Sequence, residues 1–266
     1  MKHIINIFIA LFCIANLISA QDTLYVYKAG AVYSKCAISE IDSVTFSKIY
    51  PISGSVSDND GHTYKYKQIG SQVWMTENLR TSKYRNGESI SNPTVDADWL
   101  ATTVGAWCNY NNDATTYDSK YGKLYNWYAL NDSRNIAPTG WHVATDADWT
   151  NLTNYVEANL GTSISLGKAL ASTTDWLPDF NAGAIGNNLS LNNYSGFSAL
   201  PGGARSTKLN GAFVAIGNDC YFNSISTQDI STYVLGRSLF YRYDGAYISY
   251  GDKSSGCSVR CVRDAQ

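Results

Sequence analysis

Beyond its first twenty residues the chain carries two histidines, His62 and His142, and four glutamates, Glu40, Glu77, Glu88 and Glu157. A serine nucleophile needs an imidazole within hydrogen-bond reach. No Gly-x-Ser-x-Gly string occurs, His62 follows a turn and His142 follows Trp141, so both histidines read as structural. Glycosidic cleavage needs two carboxyls that meet in space, which no spacing in the sequence excludes. Glu77 is the one glutamate in a distinctive string, Trp74-Met75-Thr76-Glu77-Asn78-Leu79, and its expected role is a buried carboxylate satisfied by backbone N–H groups. Asp58-Asn59-Asp60-Gly61 offers two carboxylates but lacks the further oxygen ligands and closing glutamate of a calcium loop, and reads as a turn. Cys257 and Cys261 have no CxxC or His-x-x-x-His partner elsewhere, so zinc is not indicated. The sequence predicts no catalysis, no cofactor and no metal.

Recognition by aromatic rings is the better-supplied chemistry. The chain has 20 Tyr and 7 Trp, rigid amphipathic groups that suit contact with sugars or proteins at low entropic cost. Tyr241, Tyr243, Tyr247 and Tyr250 alternate about Asp244-Gly245. That pattern predicts a hairpin with Tyr241 and Tyr243 on one face and Tyr247 opposite in the partner strand. Arg237, Arg242 and Trp176 would add polar and stacking contacts. The expected ligand is a glycan or a protein surface; the alternative is that one face of these tyrosines is core packing.

These residues need a β-rich frame. Charged residues are only 16% of the chain, which favours sheets over long solvated helices. Short alternating strands are expected over 22–46, 62–69 and at intervals from 198 to 262. Residues 121–131, with Leu124, Trp127, Tyr128 and Leu130, and residues 145–160, opened by Thr145 and Asp148 as a cap, read as two helices packed on a common sheet and separated by Pro138-Thr139-Gly140. Residues 163–193 read as a long structured loop region of the kind that often carries function.

Residues 1–20 have one early lysine, an apolar run from Ile4 to Ile18 and a small-residue end at Ala20, the pattern of a cleavable signal peptide rather than a membrane span. The segments are then 1–20, a short β-rich stretch with a linker at 21–50, and a main domain at 51–266. Cleavage leaves 19 Lys+Arg against 22 Asp+Glu, a net charge of −3, without the basic clusters that nucleic acid or an anionic membrane requires. Five cysteines would remain outside the cytoplasm, where pairing is the default, with Cys36 the odd one.

Six strings in order resemble the Fibrobacter succinogenes major paralogous domain (FISUMP) family: Asp58 to Gly61, Ile69 to Leu79, Tyr121 to Trp127, Ala137 to Val143, Phe197 to Gly203, and Ser258 to Asp264. The resemblance covers about residues 56–264. It implies exported, often cell-surface proteins of undetermined activity. Its closing Arg260-Cys261-Val262-Arg263 is similar to the end of the C-type-lectin-like fold shared with the formylglycine-generating enzyme. The fold implied is α+β and C-type-lectin-like: two helices on twisted antiparallel sheets with long loops, after a short β-rich leader. The enzyme's cysteine pair after a Gly-Gly block is missing, since none follows Gly202-Gly203 until Cys220. The resemblance pairs Cys108 with Cys261, and the two additional cysteines, Cys220 and Cys257, are expected to form a second bridge. The expected protein is an exported binding or adhesion module, secreted or held at the cell surface. A carbohydrate-active hydrolase and a structural surface or appendage component are the alternatives.

Overall fold

The computed structural model describes residues 23–28, 31–37, 52–160, 164–227 and 233–265. The expected signal segment and the later part of the expected strands before residue 46 lie outside the described residues. The chain divides into two compact units, Met1–Tyr50 and Pro51–Gln266. In the first, β1 (Thr23–Lys28) and β2 (Ala31–Ala37) pair antiparallel from Thr23↔Ala37 to Lys28↔Ala31, with a register shift between Val26 and Tyr27.

The second unit is mixed α+β. One sheet has the order β3-β4-β5-β14-β8, built from Ser53–Ser57, Thr63–Ile69, Gln72–Met75, Cys261–Asp264 and His142–Val143. Another has the order β10-β9-β11-β12-β13, from Ala212–Ile216, Gly202–Ser206, Asp219–Thr227, Tyr233–Phe240 and Tyr247–Asp252. A short ribbon joins β6 (Trp107–Cys108) to β7 (Leu124–Tyr125). Among the described residues the helices are α1 (Asp96–Ala101), α2 (Ala114–Tyr121), α3 (Trp127–Leu130), α4 (Asp146–Ala158) and α5 (Leu166–Leu170).

The helix expected over 145–160 forms as α4. Thr145 Oγ1 accepts from Asp148 N at 3.1 Å and Asp148 Oδ2 accepts from Thr145 N at 2.9 Å, a reciprocal capping box. Trp149, Leu152 and Val156 form its buried stripe. The helix expected over 121–131 is a correction. Gly122, at φ 72°, ends α2 where an added Cβ would meet Leu79 O at 2.8 Å. Leu124 and Tyr125 are extended, and only the four residues of α3 coil after Asn126, whose side chain accepts from Ala129 N. The apolar spacing fits a helix, but Gly122 and Asn126 cut the segment into strand and turn.

Residues of β5 and β14 point alternately into two cores. Trp74 and Val262 join Trp149, Phe197 and Phe222 on one side. Val73, Met75, Val259 and Cys261 join Tyr64, Tyr125 and Val143 on the other. A third cluster holds Trp99, Ala106, Cys108, Tyr110 and Leu124. Each fully buried large apolar side chain contributes roughly 1.5–3 kcal/mol.

Buried arginines tie these layers to the loops. Arg260 is wholly buried between Phe197 and Phe222, 4.6 and 5.6 Å from their ring centres, and donates to Asn78 Oδ1, Met75 O, Phe197 O and Ser198 O at 2.7–2.8 Å. Burial lowers its pKa to about 9, which leaves it charged at neutral pH. Arg205 lies between Trp99 and Phe213 and donates to Pro93 O, Thr94 O, Gly211 O and Asp96. Both guanidiniums satisfy carbonyls that loops would otherwise bury without partners.

The expected bridges Cys108–Cys261 and Cys220–Cys257 are not formed; all four are buried free thiols. The strand registers give the reason. Cys261 faces the second core, whereas Cys108 sits in the third. The parallel bridge Phe222↔Ser258 puts Cys220 and Ser258 on one face and Cys257 on the other. Burial pushes each thiol up to about 12, so none is a ready nucleophile.

Candidate functional site

Strands β11, β12 and β13 build the surface richest in exposed rings. The registers Asp219↔Phe240, Tyr221↔Ser238 and Ser238↔Tyr247 put Asp219, Tyr221, Phe240 and Tyr247 on one face of the sheet. The opposite face sends Cys220, Phe222 and Leu239 into the first core. Phe240 is the hub of the outer rings, 6.0 Å from Tyr221, 5.9 Å from Tyr243 and 5.8 Å from Tyr247, while Tyr243 and Tyr247 lie 6.0 Å apart. Three of these contacts are edge-on, at 75–85°, the arrangement ring quadrupoles favour.

An open groove of about 290 Å³ adjoins the rings, lined by Asn218, Asp219, Phe240, Tyr241, Arg242 and Tyr243. Asp219 accepts from Tyr221 Oη at 3.0 Å. Burial raises its pKa, against the opposing pull of that hydrogen bond and of the Arg242 charge. Arg242 folds back so that its Nε donates to Tyr241 Oη at 2.5 Å and its guanidinium lies 4.9 Å from the Tyr241 ring centre. Beneath the rings, the Ser238 hydroxyl is buried with no hydrogen-bond partner in the described protein. The groove thus offers ring faces and edges, a carboxylate, an amide and a guanidinium at one surface.

The seven residues expected to form the ligand face divide. Tyr241, Arg242, Tyr243 and Tyr247 come together here. The expected hairpin pairing of Tyr241 and Tyr243 with Tyr247 does not form, because the chain leaves β12 after Phe240. Residues 241–244 bond instead to Gly167, Ile185, Gly186 and Asn218, through Gly167 N to Asp244 O at 2.6 Å, Ile185 N to Tyr243 O at 3.0 Å, Gly186 N to Tyr241 O at 2.7 Å and Tyr241 N to Asn218 O at 2.9 Å. Tyr250 pairs with Leu235 on the opposite face of β13 from Tyr247, away from the patch. Trp176 is 3% exposed and donates its indole N–H to Ser172 Oγ and Ala199 O. Arg237, also 3% exposed, holds Asp146 at 2.6 Å and Thr150 Oγ1 at 3.0 Å in the first turns of α4. Trp176 and Arg237 are therefore core residues: the long loop folds its tryptophan back into the first core, and the arginine braces α4. Sequence reasoning missed Asn218, Asp219, Tyr221 and Phe240. The alternation of Asp219 and Tyr221 about Cys220 marks an outer face, but the register to Phe240 is needed to join them.

The histidines and acidic turn are structural. His142 Nε2 lies 3.1 Å from Asp148 Oδ2 within the capping box; the Asp148 hydrogen bond raises the imidazole pKa. Asp58 caps its own turn by accepting from Asp60 N and His62 N at 2.9 Å and takes a bond from Tyr64 Oη at 2.5 Å, while Asp60 accepts from the backbone and hydroxyl of Ser82. Glu77 departs from its expected role: it is exposed and accepts one backbone bond, from Lys65 N at 2.7 Å. It lines a separate polar cleft of about 300 Å³ with Arg80, Asp118, Lys120, Asp175 and several hydroxyls.

Comparison with known families matches the description Fibrobacter succinogenes major domain over residues 68–263. No curated protein and no solved structure matches the chain. Among the described residues no helix is long and apolar enough to cross a membrane.

Proposed function

The chain belongs to the Fibrobacter succinogenes major domain family, and we propose that it is an exported binding module that takes a glycan in the groove between Asp219 and Tyr243. The observation that carries this reading is a cluster of four aromatic rings in mutual contact, two of which line an open groove that also holds a carboxylate and a guanidinium. Sugars present C–H faces that pack on rings and hydroxyls that pair with planar polar groups, and Asn218, Asp219 and Arg242 supply the latter. A groove of about 290 Å³ sits at the lower end of small-ligand sites, ~300–1,000 Å³, which suits one or two sugar rings. The frame is of C-type-lectin-like character, with α4 braced on a sheet and late strands presenting the ligand surface. Export follows from the pattern of residues 1–20.

A hydrolase needs one carboxyl kept protonated beside a second. Among the described residues Asp219 has no second carboxylate lining its groove. In the polar cleft, Asp118 and Asp175 are each engaged in an ion pair with a lysine, Lys123 and Lys120. Binding without turnover is the reading these arrangements support.

The test is a glycan array of the purified protein followed by titration of any hit. Saturable binding that weakens at least tenfold in Tyr243→Ala and in Asp219→Asn supports the groove. Release of reducing sugar, or glycan binding indifferent to both substitutions, overturns it; a blank glycan array with a saturable protein ligand transfers the face to protein recognition.

A further inference from the structure

We infer that the polar cleft lined by Glu77 and Arg80 is a second binding site, for a small zwitterion of amino-acid or dipeptide size. Three segments meet there: residues 76–80 after β5, the C-terminal end of α2 with Gly122, and the loop 172–175, closed by Ser198 and Leu200. The aromatic groove shares none of these residues, so the cleft stands or falls independently of the glycan reading.

The pairing of its charges identifies the ligand. Lys120 Nζ lies 2.5 Å from Asp175 Oδ1, clasping α2 to the opposite wall. Asp118 is held by Lys123, itself buried, and by Asn109. Those two carboxylates and two lysines are spent on each other. Glu77 and Arg80 are left: Glu77 accepts only the Lys65 N–H, and neither makes a salt bridge among the described residues. The Arg80 guanidinium rests 5.9 Å from the Tyr64 ring centre, with no carboxylate or carbonyl partner among the described residues. The Glu77 charge opposes the lowering of the Arg260 pKa by burial, but the donors of Arg260 are already taken by Asn78 and three carbonyls.

A neutral ligand entering this cleft would strip water from an anion and a cation and return no charge to either, which is costly. A ligand bearing an ammonium and a carboxylate compensates both, the ammonium at Glu77 and the carboxylate at the Arg80 fork. Hydroxyls of Thr76, Ser119, Thr173 and Ser198 border the same space, and its volume of about 300 Å³ accommodates one or two residues. The backbone agrees: among the described non-glycine residues at positive φ, Asp175 (73°) and Ser198 (60°) are two of the three that are not asparagine, and both line the cleft. Sparsely populated backbone conformations gather where a site must hold its shape.

Calorimetric titration of the purified protein with the free α-amino acids and with glycylglycine tests this. Saturable binding of at least one member is expected. N-acetylation or C-terminal amidation of that ligand should each weaken binding tenfold or more on the unaltered protein, a comparison that does not depend on any variant folding. Glu77→Gln and Arg80→Gln should each do the same, with melting temperatures little changed because Glu77 is exposed and the half-buried Arg80 side chain makes no hydrogen bond or ion pair among the described residues, and Tyr243→Ala should leave the titration unaltered. Absence of heat across the whole panel, equal binding of capped and uncapped ligands, or a neutral disaccharide whose binding is lost in Glu77→Gln would overturn the inference.

Discussion

Replacing Arg260 with methionine tests whether hydrogen bonds or apolar packing hold the inner wall of the domain. The guanidinium makes three wholly buried hydrogen bonds, to Asn78 Oδ1, Met75 O and Phe197 O, and a fourth to Ser198 O at the edge of the core. Methionine fills much of the slot between Phe197 and Phe222 but donates nothing. Each orphaned buried acceptor costs ~1–3 kcal/mol, so the three inner ones together cost ~3–9 kcal/mol. Against this, a cation with no carboxylate partner no longer has to be desolvated, which returns several kcal/mol. The expected net loss is ~3–5 kcal/mol, a large share of the ~5–15 kcal/mol typical of a domain. Urea unfolding followed by tryptophan fluorescence reads it directly: with a slope of ~2–3 kcal/mol/M the midpoint should fall by ~1–2 M, the slope itself unchanged. Arg260→Lys keeps the charge but not the planar fork and should recover less than half of the loss. A midpoint that stays put or rises in Arg260→Met would refute the reasoning, because desolvation of the charge would then outweigh every bond it makes.

Trp176→Ala should cost ~3–5 kcal/mol, as expected for a large core side chain, whereas exposed Tyr250→Ala should stay within ~0.5 kcal/mol; urea midpoints of the two variants check this. The His142–Asp148 pair gives a window in pH. The imidazole pKa is raised above 6.5, so its contribution is complete below that value and fades as pH rises through the folded pKa. The Asp148 carboxyl is lowered below 3.8: burial, the largest single influence, opposes this but is outweighed by bonds from His142 and Thr145, and its contribution fades as pH falls through the folded pKa. Melting temperature should therefore decline from pH 6 to pH 8 in the unaltered protein, and His142→Ala should flatten that decline. Asp219, whose pKa burial raises, should behave in the opposite sense to a paired carboxylate, gaining stability as it protonates. Asp219→Asn should hold or raise the melting temperature at pH 7 and abolish the gain on acidification, as thermal scans from pH 7 to pH 4 would show.

Features encoded by neighbours in sequence were legible. The capping box of α4 needs only Thr145 and Asp148, and the turn at Asp58 to Gly61 carries its own carboxylate caps. The family strings were legible as well, and Asn78, Gly122, Phe197 and Arg260 within them turn out to meet at one wall. What depended on register was not legible. The rings of Tyr221 and Phe240 meet only because Asp219 pairs with Phe240, a register between β11 and β12 that alternation alone does not set. Trp176 looked exposed because a Gly- and Asn-rich loop surrounds it, yet Ser172 and Ala199 pull the indole inward. The expected Cys220–Cys257 bridge failed for the same reason, since one residue of register decides which face a cysteine takes, and Cys108 and Cys261 fall in different cores.

The interior position of β14 in its sheet makes closure of the domain depend on a long-range contact. Its neighbour in the sheet is β5, and Arg260 meets Met75 across 185 positions of sequence. Closing so long a loop costs ~2–3 kcal/mol more than closing one of ten residues, before any contact rewards it. Until residues 257–264 are available, Trp74 lacks its second strand partner, Val262, both cores stay open along one side, and the wall behind Glu77 has no arginine. A chain growing from its N-terminus therefore closes this sheet only after residues 261–264 are made, and both cores gain their missing side at that late point.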